Sequence, residues 1–301
     1  MEFTILVDTS LVEIAPDIPV PHNRLLLSII NDFEEGEWRH EKFAQFIWDN
    51  IAETALSCRE REALQRKPHS LLTAAAQNLR LTDNDPIGKG SELAEIVLYG
   101  VMKHRYGALP VVPKIFYKQN AQDNAKGADS VHITVDTDDD FALWFGEAKF
   151  YSSIQDVRLG TVIDSVRKSL RTDKLRKENA IIVNVRDLDE LGLCPSLCDG
   201  IKAALAPSES IDHLKRRINV PILLLHECSL TAGNTALTAE YLAELREFHN
   251  ERAQAYFRKQ ANSLNSVHQV DEITFHLILF PVPNKPSIVD RFVRTVSHFK
   301  D

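Results

Sequence analysis

Two apolar runs joined by an acidic turn constrain this chain more than any other feature. Lys126-Gly127-Ala128-Asp129 leads into Val131, Ile133 and Val135, which alternate as a half-buried strand does. Asp136 to Asp140 reads as a turn, and Phe141 to Tyr151 as the next strand. Asp129 stands near the start of the first strand, and Glu147-Ala148-Lys149 near the end of the second. Strand side chains alternate faces, so Glu147 and Lys149 share a face and Ala148 packs on the other. The spacing from Asp129 to Glu147 suits two short strands and a tight turn, which brings the two acids side by side. Trp144, Phe145, Phe150 and Tyr151 flank Glu147 and Lys149. Charges inside so apolar a strand need a purpose, because unpaired burial of charge is costly.

The surrounding pattern predicts an α/β fold. Residues 1–15 read as a strand, and 16–36 as a proline-containing connection with an apolar stretch from Leu25 to Ile30. Phe43, Phe46, Ile47, Ile51 and Leu56 recur at helical spacing, and a second helical segment over 59–79 is interrupted at Pro68. Asp83 to Gly90 reads as a loop, after which Ser91 is the expected N-cap of a helix ending at Gly107. Val111 to Tyr117 reads as a strand and Asn120 to Gly127 as a polar loop. A helix is expected over 154–171, with Val157, Val162, Ile163 and Val166 on its apolar side. Short buried strands are expected at Ile181 to Val185 and Ile222 to Leu225. Residues 188–207 read as irregular or weakly helical. Thr238 to Lys259 reads as a long amphipathic helix, Ile273 to Phe280 as a strand and Pro286 to Phe299 as a closing helix. The units are an N-terminal strand plus helical region (1–87), a central core (88–186) and a C-terminal α/β extension (187–301).

Composition narrows the class. With 44% hydrophobic and 26% charged residues the chain has the balance of a globular protein. No apolar run reaches the roughly 20 residues that span a bilayer, and the first ten residues lack the basic n-region of a signal peptide. A cytoplasmic protein with no membrane contact is expected. Cys194 and Cys198 form a C-x3-C pair, but no compact zinc spacing completes it, so the four cysteines read as reduced thiols.

Two carboxylates converging on one spot repel unless a cation lies between them. Oxygen-only ligation suits Mg²⁺ or Mn²⁺. Such an ion polarises a phosphate oxygen and acidifies a bound water, while Lys149 orients or deprotonates that water or neutralises developing charge. Glu92 and Glu95 share one face of the preceding helix, and one of them is expected to serve the metal. The candidate catalytic residues are therefore Asp129, Glu147, Lys149, Glu92 and Glu95, with Asp129, Glu147 and Glu92 as metal ligands.

Helix-Glu, strand-Asp, strand-Glu-x-Lys, helix, strand resembles the PD-(D/E)xK nuclease superfamily over residues 88–186, although Ala128 stands where the name has proline. Gly90-Ser91-Glu92-Leu93-Ala94-Glu95-Ile96, Pro113-Lys114-Ile115-Phe116-Tyr117, Lys126-Gly127-Ala128-Asp129 and Phe145-Gly146-Glu147-Ala148-Lys149-Phe150-Tyr151 resemble the HamA family. That family is the nuclease subunit of the Hachiman anti-phage system. The resemblance implies a metal-dependent deoxyribonuclease held and released by a partner helicase, HamB.

The net charge of −8 means that DNA contact rests on a local patch or on a partner. Six basic residues between Arg167 and Lys177 are the main candidate patch, with Lys103, His104 and Arg105 a weaker one. No sequence-reading motif is present, so contact with DNA is not expected to be sequence-specific. The helix over 238–259 and the first 80 residues are the expected helicase-docking surfaces. Two alternatives remain: a catalytically inactive DNA-binding and assembly subunit, and an enzyme for a small phosphorylated substrate that uses the Gly88 to Ser91 turn.

Overall fold

A computed structural model describes residues 3–17, 21–81, 90–117, 127–136, 140–184 and 188–300. β1 (Thr4–Ser10), α1 (Leu11–Ile14) and β2 (Arg24–Ile30) open the chain. The apolar 25–30 stretch is thus a strand rather than part of a connection. A small hairpin, β3 (Phe33–Glu34) and β4 (Glu37–Trp38), leads into α2 (His40–Ala55), α3 (Cys58–Leu64) and α4 (Pro68–Gln77). Ser57 and Glu60 form a capping box on α3, and Pro68 opens α4, which breaks the 59–79 segment where its proline predicts.

The central elements are α5 (Ser91–Tyr106), β5 (Leu109–Val112), α6 (Lys114–Tyr117), β6 (Ser130–Val135), β7 (Phe141–Tyr151), α7 (Asp156–Ser169) and α8 (Thr172–Asn184). They are followed by α9 (Pro195–Ala204), α10 (Ile211–Leu214), β8 (Ile218–Glu227), α11 (Ser229–Gly233), α12 (Ala239–Ser263), β9 (Thr274–Val282) and α13 (Lys285–Lys300).

Seven strands form one sheet in the order β1-β2-β9-β8-β7-β6-β5. β2, β9, β8 and β7 run parallel, while β1 at one edge and β6 and β5 at the other pair antiparallel. Strands from all three sequence segments therefore share one sheet. β8 and β9 are nearly continuous apolar runs because both sheet faces are covered. On one face Trp144, Ala148 and Phe150 of β7 pack with residues of α2, α4, α5 and α13. On the other, Leu143, Phe145 and Tyr151 pack with residues of α7, α8, α9 and α12. This alternation puts Glu147 and Lys149 on the α7 face.

Several local expectations change. The apolar run from Ile181 is the end of α8, not a strand. Leu175, Glu178, Asn179 and Ile182 are its buried positions, a helical period. The strand beside β7 is β8, which pairs Glu147 with Ile222 and Lys149 with Leu224. Val111 to Tyr117 divides at Pro113 into the end of β5 and α6. Gly90, at φ 87°, is the N-cap of α5, and Ser91 is its first residue. Val157 is 80% exposed on the first turn of α7, whereas Leu159, Val162, Ile163 and Val166 form the buried stripe. The Gly88 to Ser91 turn and the 120–127 loop lie largely outside the described residues.

Candidate functional site

The β6–β7 ladder begins with the pair Ser130–Gly146, so Asp129 and Glu147 lie just beyond its last rung. The Asp129 amide still donates to the Gly146 carbonyl at 2.7 Å. Its side chain then takes over the role of a strand partner. Oδ2 accepts from the Ala148 amide at 3.1 Å and from Lys149 Nζ at 3.2 Å. Lys149 Nζ lies 2.6 Å from Glu147 Oε1 and donates to the Ala148 carbonyl at 3.1 Å. Ser165 of α7 donates to the same Glu147 oxygen at 2.6 Å. One ammonium thus bridges two carboxylates where the strands part.

The electrostatics follow from burial and the neighbouring charges. Burial raises the Glu147 pKa and the Asp129 carboxylate raises it further, while Lys149 and the Ser165 hydroxyl oppose the shift. Burial disfavours the Lys149 ammonium, but attraction to Asp129 and Glu147 outweighs it, and the Lys149 pKa is raised. Lys149 therefore stays protonated between the two carboxylates.

Glu92 lies apart from this cluster. Its carboxylate accepts from the Arg80 amide at 2.9 and 3.1 Å and from the Leu81 amide at 3.0 Å, so it anchors the end of the 79–81 segment. Helical spacing placed Glu92 on a face but did not say which backbone lay opposite. Glu95 is buried on α5, one turn before Leu98. A Cβ on Gly146 would meet Leu98 Cδ2 at 2.7 Å and Ser130 Oγ at 2.1 Å, so α5 lies close against the sheet face opposite α7. The structure brings together Asp129, Glu147 and Lys149 of the five predicted residues.

Three contributors escaped the sequence reading. Ser165 borders the buried stripe of α7. Lys114 interrupts the apolar run from Val111 to Tyr117, the same signal that marked Glu147. Glu178 carries no such signal, because its neighbours on α8 are polar. Glu178 is buried with its Oε2 2.6 Å from Lys114 Nζ and its Oε1 accepting from the Ala128 amide at 2.9 Å.

Among the described residues no group of three or more His, Cys, Asp or Glu side chains converges as a metal site. Two carboxylates are nevertheless enough for Mg²⁺, which keeps several waters and takes further oxygens from substrate phosphate. Asp129 and Glu147 fit such an ion by donor chemistry, and their repulsion is what a cation relieves. The predicted third ligand, Glu92, is committed to backbone amides in this structure.

The helices beside the cluster also carry the basic run. Arg167 and Lys168 end α7, Arg171 follows, and Lys174, Arg176 and Lys177 lie on α8. Arg167 pairs with Asp164 at 2.8 Å, Arg171 with Asp173 at 3.1 Å, and Arg176 donates to the Pro207 carbonyl at 2.9 Å. Among the described residues no helix is long and apolar enough to cross a membrane.

The chain matches the HamA family over residues 7–296. It belongs to that family. HamA membership makes it a protein of the Hachiman anti-phage defence system. Among curated proteins none matches the chain.

Proposed function

We propose that this HamA protein is a Mg²⁺-dependent deoxyribonuclease of PD-(D/E)xK type, the effector of a defence complex whose partner helicase holds and activates it. The observation that carries this reading is the convergence of Asp129 and Glu147 on Lys149 at the parting of β6 and β7. The succession α5-β5-α6-β6-β7-α7 supports it, with β8, reached through α8, α9 and α10, pairing beside β7 where the sequence reading put the 181–185 run.

Asp129 and Glu147 would hold the ion, which when bound polarises a phosphodiester oxygen and acidifies a water. The remaining chemistry belongs to the chain. Lys149 stays protonated, so it neutralises charge developing on the phosphate and orients the attacking water rather than removing its proton. Ser165 holds the Glu147 carboxylate in place. The Ala148 amide fixes Asp129. Lys168, Lys174 and Lys177 offer charge to a DNA backbone without reading its sequence. The overall charge of −8 opposes tight binding of DNA by this chain alone, which supports delivery by a helicase.

The test is plasmid degradation in Mg²⁺ with and without EDTA, for wild type and Glu147→Gln, each alone and with the helicase encoded beside it. Metal-dependent degradation lost in Glu147→Gln is the expected result. Absence of degradation in every combination, with both proteins folded and associated, would point instead to an inactive assembly subunit.

A further inference from the structure

We propose that Lys114 and Glu178 are positioning residues for Asp129: together they take the place of a missing strand and fix the backbone that presents Asp129 to the cation. The proposal rests on the nuclease reading given above.

β6 lies between β5 and β7, so its amides alternate between two partners. The Asp129 amide is satisfied by β7 through Gly146. The neighbouring Ala128 amide points the other way, towards the β5 side. β5 has already ended there, because Val112, its last residue, pairs with Val131. Pro113 then turns the chain into α6.

Glu178 fills the vacated position. Its Oε1 accepts from the Ala128 amide at 2.9 Å, where a strand carbonyl would have been. Its Oε2 accepts from Lys114 Nζ at 2.6 Å. Lys114 is the second residue after the end of β5, so the chain that abandons the ladder returns a side chain to pin its substitute. Gly127 makes the approach possible, since a Cβ there would lie 1.7 Å from Glu178 Oε1. The peptide joining Gly127 to Ala128 is therefore held from one side by Glu178, and the Asp129 side chain is held from the other by the Ala148 amide.

A buried ion pair is a poor way to add stability, because desolvation offsets most of the attraction, and an apolar pair of similar volume often does as well. Its geometric specificity is what an apolar pair cannot reproduce. Here that geometry is spent one residue from a carboxylate whose placement decides whether two acids can share an ion. Residues that orient metal ligands typically carry about 10–100-fold in metal affinity.

The experiment is titration calorimetry with Mn²⁺ on the full chain, together with the Mg²⁺ concentration for half-maximal DNA cleavage in the presence of the helicase. Gly127→Ala displaces Glu178 without removing a charge. Glu178→Leu removes the acceptor of the Ala128 amide and the carboxylate beside Lys114. The double variant Lys114→Met with Glu178→Gln removes both charges but keeps an amide oxygen for Ala128. Circular dichroism melts confirm that each variant is folded at the assay temperature.

Gly127→Ala is expected to weaken Mn²⁺ binding about tenfold and to raise the Mg²⁺ requirement in proportion. The double variant is expected to recover affinity to within about threefold of wild type, a rescue that tracks the oxygen acceptor rather than the charge. Glu178→Leu, if folded, should resemble Gly127→Ala. Variants that melt earlier yet bind Mn²⁺ as wild type does would reduce the pair to a fold element and overturn the proposal. If wild type neither binds Mn²⁺ nor cleaves DNA with its helicase, the nuclease reading itself fails. Wild-type binding and cleavage that Glu147→Gln abolishes, with unaltered affinity in Gly127→Ala, would overturn the positioning role alone.

Discussion

Lys149 lies against Asp129 and Glu147, and Lys114 against Glu178, yet the two clusters are built for different ends. Around Lys114 one ammonium meets one carboxylate, with side chains 2% and 5% exposed. Both side chains are shut away from water. Around Lys149 one ammonium meets two carboxylates, and the lysine is 30% exposed. The cluster opens outward through its lysine. A closed pair has little to offer a ligand, whereas the more open cluster of two carboxylates on one ammonium is where the proposed cation would be held. The same residue types thus differ in exposure, as a scaffold and the proposed site should.

Removing each lysine should expose that difference. Lys114→Met strands a buried carboxylate, and breaking a buried pair in this way costs about 3–5 kcal/mol. Urea denaturation should show the midpoint falling accordingly. Lys149→Ala leaves Glu147 to the Ser165 hydroxyl and Asp129 to the Ala148 amide, so stability should change by less, while Mg²⁺-dependent DNA cleavage should fall about 10²–10³-fold. Equal losses of stability in the two variants would erase the distinction between the clusters.

A third buried group, with no charge to balance, sharpens the comparison through pH. His226 and His249 face each other through their Nε2 atoms at 3.3 Å, and Ser28 Oγ lies 2.6 Å from His249 Nδ1. Burial lowers the His226 pKa to about 4, lowers His249 well below its ordinary value, and lowers His132 to about 3. These side chains are neutral when folded, while the unfolded chain takes up their protons near pH 6.5. Their contribution is therefore complete above about pH 6.5 and is lost as pH falls towards 4, by up to about 1.4 kcal/mol per histidine per pH unit. Urea midpoints at pH 7.5, 6 and 5 check this, and a flat profile would contradict it.

The smallest effect belongs to the exposed charges. Lys174→Ala and Lys177→Ala should leave stability within about 0.5 kcal/mol. Each should lower the salt dependence of DNA binding by about one unit of slope in a filter-binding series if it contacts phosphate. An unchanged slope would remove α8 from the DNA surface.

What could be read beforehand follows the same physics. Asp129, Glu147 and Lys149 were legible because charge inside an apolar strand is anomalous and strand alternation fixes a shared face. Lys114 carried the same anomaly but was read as part of a strand that Pro113 in fact ends. Glu178 was illegible, because a glutamate among lysines on a helix looks like solvated surface until the fold brings Ala128 to it. Glu92 was read onto the metal because spacing locates a helix face without naming its neighbour, here the amides of Arg80 and Leu81. The 181–185 run was read as a strand because a short apolar stretch fits either period, and the buried Leu175, Glu178 and Ile182 that settle it span a longer window.

The central claim is that the Asp129 and Glu147 carboxylates beside Lys149 take a divalent cation and the buried Lys114–Glu178 pair does not. Anomalous diffraction from crystals soaked in Mn²⁺ tests it most directly. The account predicts an ion between Asp129 and Glu147, none at Glu178, and loss of that ion in Glu147→Gln. An empty Asp129–Glu147 site at saturating Mn²⁺, or an ion unaffected by Glu147→Gln, would contradict it.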